Sequence, residues 1–157
     1  MQDKKNILGF SVIELLAVIA VFAIILAIGI PSLSHFSESA SLRVECDTLV
    51  SSLKMAQQEA VSQQYNHVVK INTDQNYWTI IRQEPDTETP GVVTEFDVQK
   101  RELQKNVFIK EIVGIEDSQV KFVPFGSVTD AGSIVLENKK GSQCVVEISP
   151  AGFVKKQ

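Results

Sequence analysis

The stretch GFSVIELL, residues 9–16, opens an apolar run that continues to Ile30 and carries one charge, Glu14. From Val12 to Ile30 there are 19 residues with no other strongly polar group. As an α-helix the run is about 28 Å long, close to the hydrocarbon thickness of a bilayer. A buried core helix is the alternative, but core helices alternate apolar and polar faces, and this one is apolar all round. A carboxylate in lipid costs a few kcal/mol even on lenient scales, so Glu14 needs a partner. A local partner is available: Ser11-Val12-Ile13-Glu14 fits a capping box, with Glu14 folding back on the helix start.

The 157 residues suffice for one domain with an anchor or tail. Beyond Pro31 the sequence carries charges of both signs, as soluble protein does. The net charge of −4 argues against broad attraction to nucleic acid. Residues 1–9 hold Lys4, Lys5 and Asp3, and without their net +1 the remainder stands at −5. Lysines ahead of the apolar run, with no such cluster closely after it, put the N-terminus in the cytoplasm and residues 32–157 outside. Cys46 and Cys144 then lie in a compartment where disulfides form. A basic start before an apolar stretch also describes a cleaved signal peptide or a plain uncleaved anchor. The run is longer than a signal's apolar region, and Glu14 hinders simple insertion.

Gly9, Phe10 and Glu14 together resemble the processing site of type IV prepilins and of type II secretion pseudopilins. Their pattern is a short basic leader ending in glycine, then an aromatic residue, then a glutamate four residues on. The resemblance implies that prepilin peptidase cuts between Gly9 and Phe10 on the cytoplasmic side and methylates the new Phe10 amine. Residues 1–9 are then a leader, 10–31 a transmembrane and assembly helix, and 32–157 an extracytoplasmic globular domain. After cleavage, the cationic amine of an entering subunit can pair with Glu14 of one already assembled. That pairing removes two charges from lipid together and helps fix axial register.

From Phe36 to Tyr65 there is neither glycine nor proline, and Leu42, Cys46, Leu49, Leu53, Ala56 and Ala60 recur in steps of three and four. That spacing places them on one helical face, with Arg43, Glu45, Lys54, Gln58 and Gln63 opposite. One helix from about Ser11 to Tyr65 is expected; Pro31 would bend it without ending it. Strand-prone runs follow at 67–71, 76–82, 93–98, 107–113, 119–123, 133–138 and 143–149, separated by turn residues. The fold class is α+β: a long N-terminal helix on a mostly antiparallel sheet, as in the type IV pilin fold. The helix-to-strand passage from Leu42 to Val69 looks like that of the GspH/FimT group of minor pilins and pseudopilins. So do Phe122-Val123-Pro124-Phe125-Gly126, the run from Gly132 to Leu136, and the run from Val146 to Gly152. The group implies a structural subunit in the inner membrane and then in a filament, a type IV pilus or a type II secretion pseudopilus. Its partners would be other pilin subunits, prepilin peptidase and secreted cargo. Residues 84–107 match nothing in that pattern.

Cys46 lies on the apolar stripe, and strand alternation puts Cys144 with Val146 and Ile148 on a core-facing side. Both thiols can point into one helix–sheet interface, either bonded or as two small buried hydrophobes. His35 and His67 read as surface residues without cysteine or carboxylate at metal-ligand spacing, so no metal or other cofactor is expected. No nucleophile–base arrangement, phosphate loop or paired carboxylate stands out, so the chain does not read as an enzyme. Trp78 reads as a core residue. Some members of the pilin group bind DNA during uptake through a C-terminal glycine–arginine–x–arginine motif. Here the corresponding residues are Gly152-Phe153-Val154-Lys155, followed by Lys156, with Lys139-Lys140 as further candidates on the same edge. A DNA-binding minor pilin is therefore the alternative function. Lysines lack the forked arginine contact, so nucleic acid is not expected as a partner.

Overall fold

The computed structural model describes residues 11–86, 89 and 91–157, without the side chains of residues 27–37. The Gly9–Phe10 junction and the side chains of Pro31 and His35 lie outside the described residues. The chain divides into two units, Met1–Ser37 and Glu38–Gln157.

One α-helix, α1, runs Val12–Gln63. Its end has a local cause. Gln64 takes a left-handed backbone at φ 60°, and its Nε2 donates to the Val61 carbonyl at 2.6 Å. One carbonyl left open by the last turn is thereby satisfied. The strands are β1 (Asn66–Asn72), β2 (Tyr77–Pro85), β3 (Val93–Glu102), β4 (Val107–Val113), β5 (Gln119–Phe122), β6 (Gly132–Asn138), β7 (Gln143–Ile148) and β8 (Val154–Lys156). A single 3₁₀ turn, Glu116–Ser118, leads into β5.

The strands form two four-stranded sheets where the sequence suggested one. Their orders are β3-β2-β1-β5 and β4-β6-β7-β8, and every pairing is antiparallel. Both sheets are covered by the same helix stripe. Leu42, Cys46, Leu49, Leu53, Ala56 and Ala60 are all buried. They share one core with Val69, Ile80 and Phe122 of the first sheet and Ile109, Leu136 and Val146 of the second. Trp78 belongs to that core and is 1% exposed.

Three local expectations need correction. Strand β3 extends four residues past Val98, and β8 has no counterpart in the sequence reading, because Val154-Lys155-Lys156 is too short to show a period. Glu45 is fully buried instead of facing solvent, and Ser52, seven residues on, is buried with it. Two sheets enclose a wider arc of helix than a single seam does, so positions flanking the stripe are covered too. His67 is also fully buried. Period-two alternation points it the same way as Val69 and Ile71, and its cross-strand neighbours are Arg82 and Phe122.

Candidate assembly segment and surrounding surfaces

In the first unit, Glu14 stands in the first turn of α1. The backbone N–H groups of Glu14 and Leu15 both donate to the Ser11 carbonyl, at 3.1 and 3.2 Å. The Glu14 side chain is exposed and, among the described residues, has no hydrogen-bond or ion-pair partner. The capping-box contact is therefore absent there. Around it the helix is apolar on every side. Val12, Ile13, Leu15, Leu16, Ile19, Phe22 and Ile25 are each more than half exposed. Ten such side chains from Val12 to Leu26 lie open, so no single face can be designated as inward. Among the described residues no helix is long and apolar enough to cross a membrane; the described side chains of this stretch stop at Leu26.

The second unit is tied across its core. Cys46 of α1 and Cys144 of β7 form a disulfide, with Cα atoms 6.5 Å apart and a separation of 98 in sequence. Close by on the helix, Asp47 accepts from Lys156 Nζ at 2.7 Å, pinning β8 to α1. Lys140 Nζ reaches Glu38 at 3.0 Å. Near the other end of the helix, Gln57 Nε2 donates to the Gly126 carbonyl at 2.6 Å. Gly152 packs onto that same carbonyl at φ +82°, where a Cβ would overlap the Gly126 oxygen. Only glycine fits both the conformation and the space. Gln57 went unremarked in the sequence, because a single glutamine on a helix carries no signal of its long-range partner.

The lysines weighed for DNA are not assembled into one surface. Lys155 pairs across the strand with Glu147, near the end of β7 remote from the Lys139-Lys140 turn. Lys140 and Lys156 are anchored to helix residues nine apart, which is about 13 Å along the axis. Each already has a carboxylate partner. Phe153, at the place of the first arginine, is 69% exposed and apolar.

Two surface carboxylates are held ionised. Glu95 lies below its ordinary range chiefly through hydrogen bonds from Lys70 and then Gln83. Glu137 is lowered in the same way by Lys110 and then Gln143. His67 Nδ1 lies 3.2 Å from the Tyr65 carbonyl, and its Nε2 lies 3.5 Å from Glu59. Among the described residues, no three histidine, cysteine or acidic side chains converge on a metal-sized site.

Comparison with known proteins places this geometry. No curated protein sequence matches the chain. Among solved structures, the minor pseudopilin EpsH of the Vibrio cholerae type II secretion system is similar at 15% identity. The match covers 74% of this chain and 96% of that one, with a TM-score of 0.59. The type IV minor pilin FimU of Pseudomonas aeruginosa is similar at 18% identity, covering 78% and 92%, with a TM-score of 0.57. At these identities the likeness speaks for the fold. The sequence profile described as type II transport protein GspH matches residues 45–152. That span runs from the buried face of α1 to the glycine that closes on Gly126, so the chain belongs to the GspH family of type II secretion pseudopilins and minor pilins.

Proposed function

We propose that this protein is a structural subunit of a type II secretion pseudopilus or a type IV pilus, not a catalyst. Residues 1–9 are a leader removed by prepilin peptidase, and the Phe10 amine is then methylated. Residues 10–31 hold the subunit in the inner membrane as a single pass with a cytoplasmic N-terminus. Residues 32–157 lie in the periplasm until assembly, when the apolar helix leaves lipid for the company of neighbouring helices. The carrying observation is a GspH-family domain in a chain whose helix exposes apolar side chains on all sides and carries, in its first turn, Glu14 with no partner among the described residues.

The driving force follows from those residues. Exposed apolar helix has no place in water, and within a bundle of like helices it is covered on every side. Glu14 is costly in lipid until a cation reaches it, and after cleavage the amine of a neighbouring subunit's Phe10 can supply that charge. Other pilin subunits are thus obligatory partners, and secreted cargo is a partner for the periplasmic domain.

Edman degradation of the mature protein should begin at Phe10, and a start elsewhere would refute the reading. Glu14→Ala is expected to be cleaved normally yet to fail in filament incorporation, scored by shearing filaments and immunoblotting the subunit. DNA uptake has less support, since Lys140 and Lys156 are engaged and lie apart. Titration of labelled duplex should give no salt-steep complex at physiological ionic strength.

A further inference from the structure

The fully buried imidazole of His67, near the start of β1, faces oxygen atoms with both of its ring nitrogens. Nδ1 lies 3.2 Å from the backbone carbonyl of Tyr65, in the connection between α1 and β1. Nε2 lies 3.5 Å from Oε2 of Glu59, near the end of α1. Nε2 and that oxygen are both shielded from solvent, and neither has a hydrogen-bond partner among the described residues.

A neutral imidazole carries one N–H and one lone pair, whereas a carbonyl and an ionised carboxylate can only accept. With the proton on Nδ1, the Nε2 lone pair confronts the Glu59 carboxylate. With the proton on Nε2, the Nδ1 lone pair confronts the Tyr65 carbonyl. Either tautomer leaves one buried polar contact unmade, which is costly where water cannot replace it. Only the doubly protonated ring donates in both directions. The extra proton belongs on the ring and not on Glu59, since an imidazole ordinarily holds one up to about pH 6.5 and a glutamate only to about 4.3.

The neighbouring charges agree. From β2, Arg82 stands opposite His67; its Nε pairs with Glu84 at 2.6 Å and its Nη1 donates to Gln63 at 3.3 Å. From β5 the neighbour is Phe122, which has no charge. Glu59 and Glu84 against Arg82 leave this group one positive charge short of neutrality, and an imidazolium supplies it. Burial opposes the charge, but the Glu59 carboxylate and two donated hydrogen bonds offset it.

We propose that the folded protein holds His67 as the imidazolium, a proton-dependent clasp joining the end of α1, the connection at Tyr65 and β1. The proton comes from solvent on folding, and its loss at higher pH loosens the α1–β1 junction. The folded state then binds this proton more tightly than the unfolded chain does. The stabilisation is therefore complete below the ordinary imidazole range and is lost as pH rises through the folded value. The clasp lies wholly within the second unit and does not rest on the assembly reading.

The test is NMR of the His67 ring nitrogens in the full-length protein in detergent at about pH 7.5, one unit above the ordinary imidazole value. His35→Gln in every sample removes the other histidine. With Glu59 intact, both ring nitrogens should carry protons. With Glu59→Gln, whose amide can donate to Nε2, the proton should remain on Nδ1 alone. Urea unfolding followed by Trp78 fluorescence should show the unfolding constant rising by up to about tenfold per pH unit above about pH 6.5, and Glu59→Gln should flatten that rise. A lone pair on either ring nitrogen at that pH with Glu59 intact overturns the proposal, as does a slope that Glu59→Gln leaves unchanged. If the Glu59→Gln variant does not fold, the ring measurement with Glu59 intact decides by itself.

Discussion

The two stretches of α1 with described side chains obey opposite rules. From Val12 to Leu26 the helix exposes apolar side chains on all sides, whereas from Leu42 to Ala60 it buries one stripe and turns Arg43 and Lys54 to solvent. Each stretch also carries a glutamate without a hydrogen-bond partner among the described residues. Glu14 is exposed on the apolar stretch, and Glu45 is fully buried beside the amphipathic stripe. On the proposed reading, a carboxylate among exposed apolar side chains is available to a partner subunit. A carboxylate inside a finished core only costs stability, because nothing can reach it. The same residue type therefore reads as function in one place and as burden in the other.

The largest expected break in this contrast comes from the disulfide. Reduction, or Cys144→Ala, should lower the stability of the second unit by about 4–5 kcal/mol on the chain-entropy account. Urea unfolding with and without reductant, followed by Trp78 fluorescence, measures it. Leu53→Ala opens a cavity at a fully buried position and should cost about 2–5 kcal/mol by the same assay. Leu16→Ala, by contrast, should leave that unfolding within about 0.5 kcal/mol of wild type while reducing filament incorporation. Equal effects of the two leucine substitutions on unfolding would erase the distinction between the stretches. Glu45→Met removes the buried carboxylate and should stabilise the second unit by about 1–3 kcal/mol.

The smallest effect concerns Glu95. Its folded-state pKa is depressed, so the stabilisation is complete above the ordinary carboxylate range and is lost as pH falls through the folded value. Both side chains of the Lys70–Glu95 pair are about a third or more exposed, so the contribution is only a few tenths, ~0.3 kcal/mol. Lys70→Met should raise the Glu95 pKa toward its ordinary value in a carboxyl-detected NMR titration. An unchanged value would remove Lys70 as the cause.

Most strands were legible because both sheets face one common core, which enforces alternation and β-branched residues. The runs at 107–113 and 143–149 appear as β4 and β7 with ends that differ by at most one residue. Two kinds of feature escaped. Glu45 and His67 looked solvated by residue type, yet the second sheet and the β1 alternation enclose them. The contacts of Gln57 and Lys156 join residues 69 and 109 positions apart, a separation at which local sequence carries no information.

The sequence by itself determined the unbroken apolar run with its lone carboxylate, the helical stripe from Leu42 to Ala60, and most of the strand order. Each of these is written in local periodicity, which depends on 3.6- and 2-residue repeats alone. Only the tertiary structure decided that the strands divide into two sheets, that Cys46 meets Cys144, and that β3 is left as an open edge. Those outcomes depend on which distant segments share the helix stripe, and a choice among long-range pairings leaves no periodic trace in the chain.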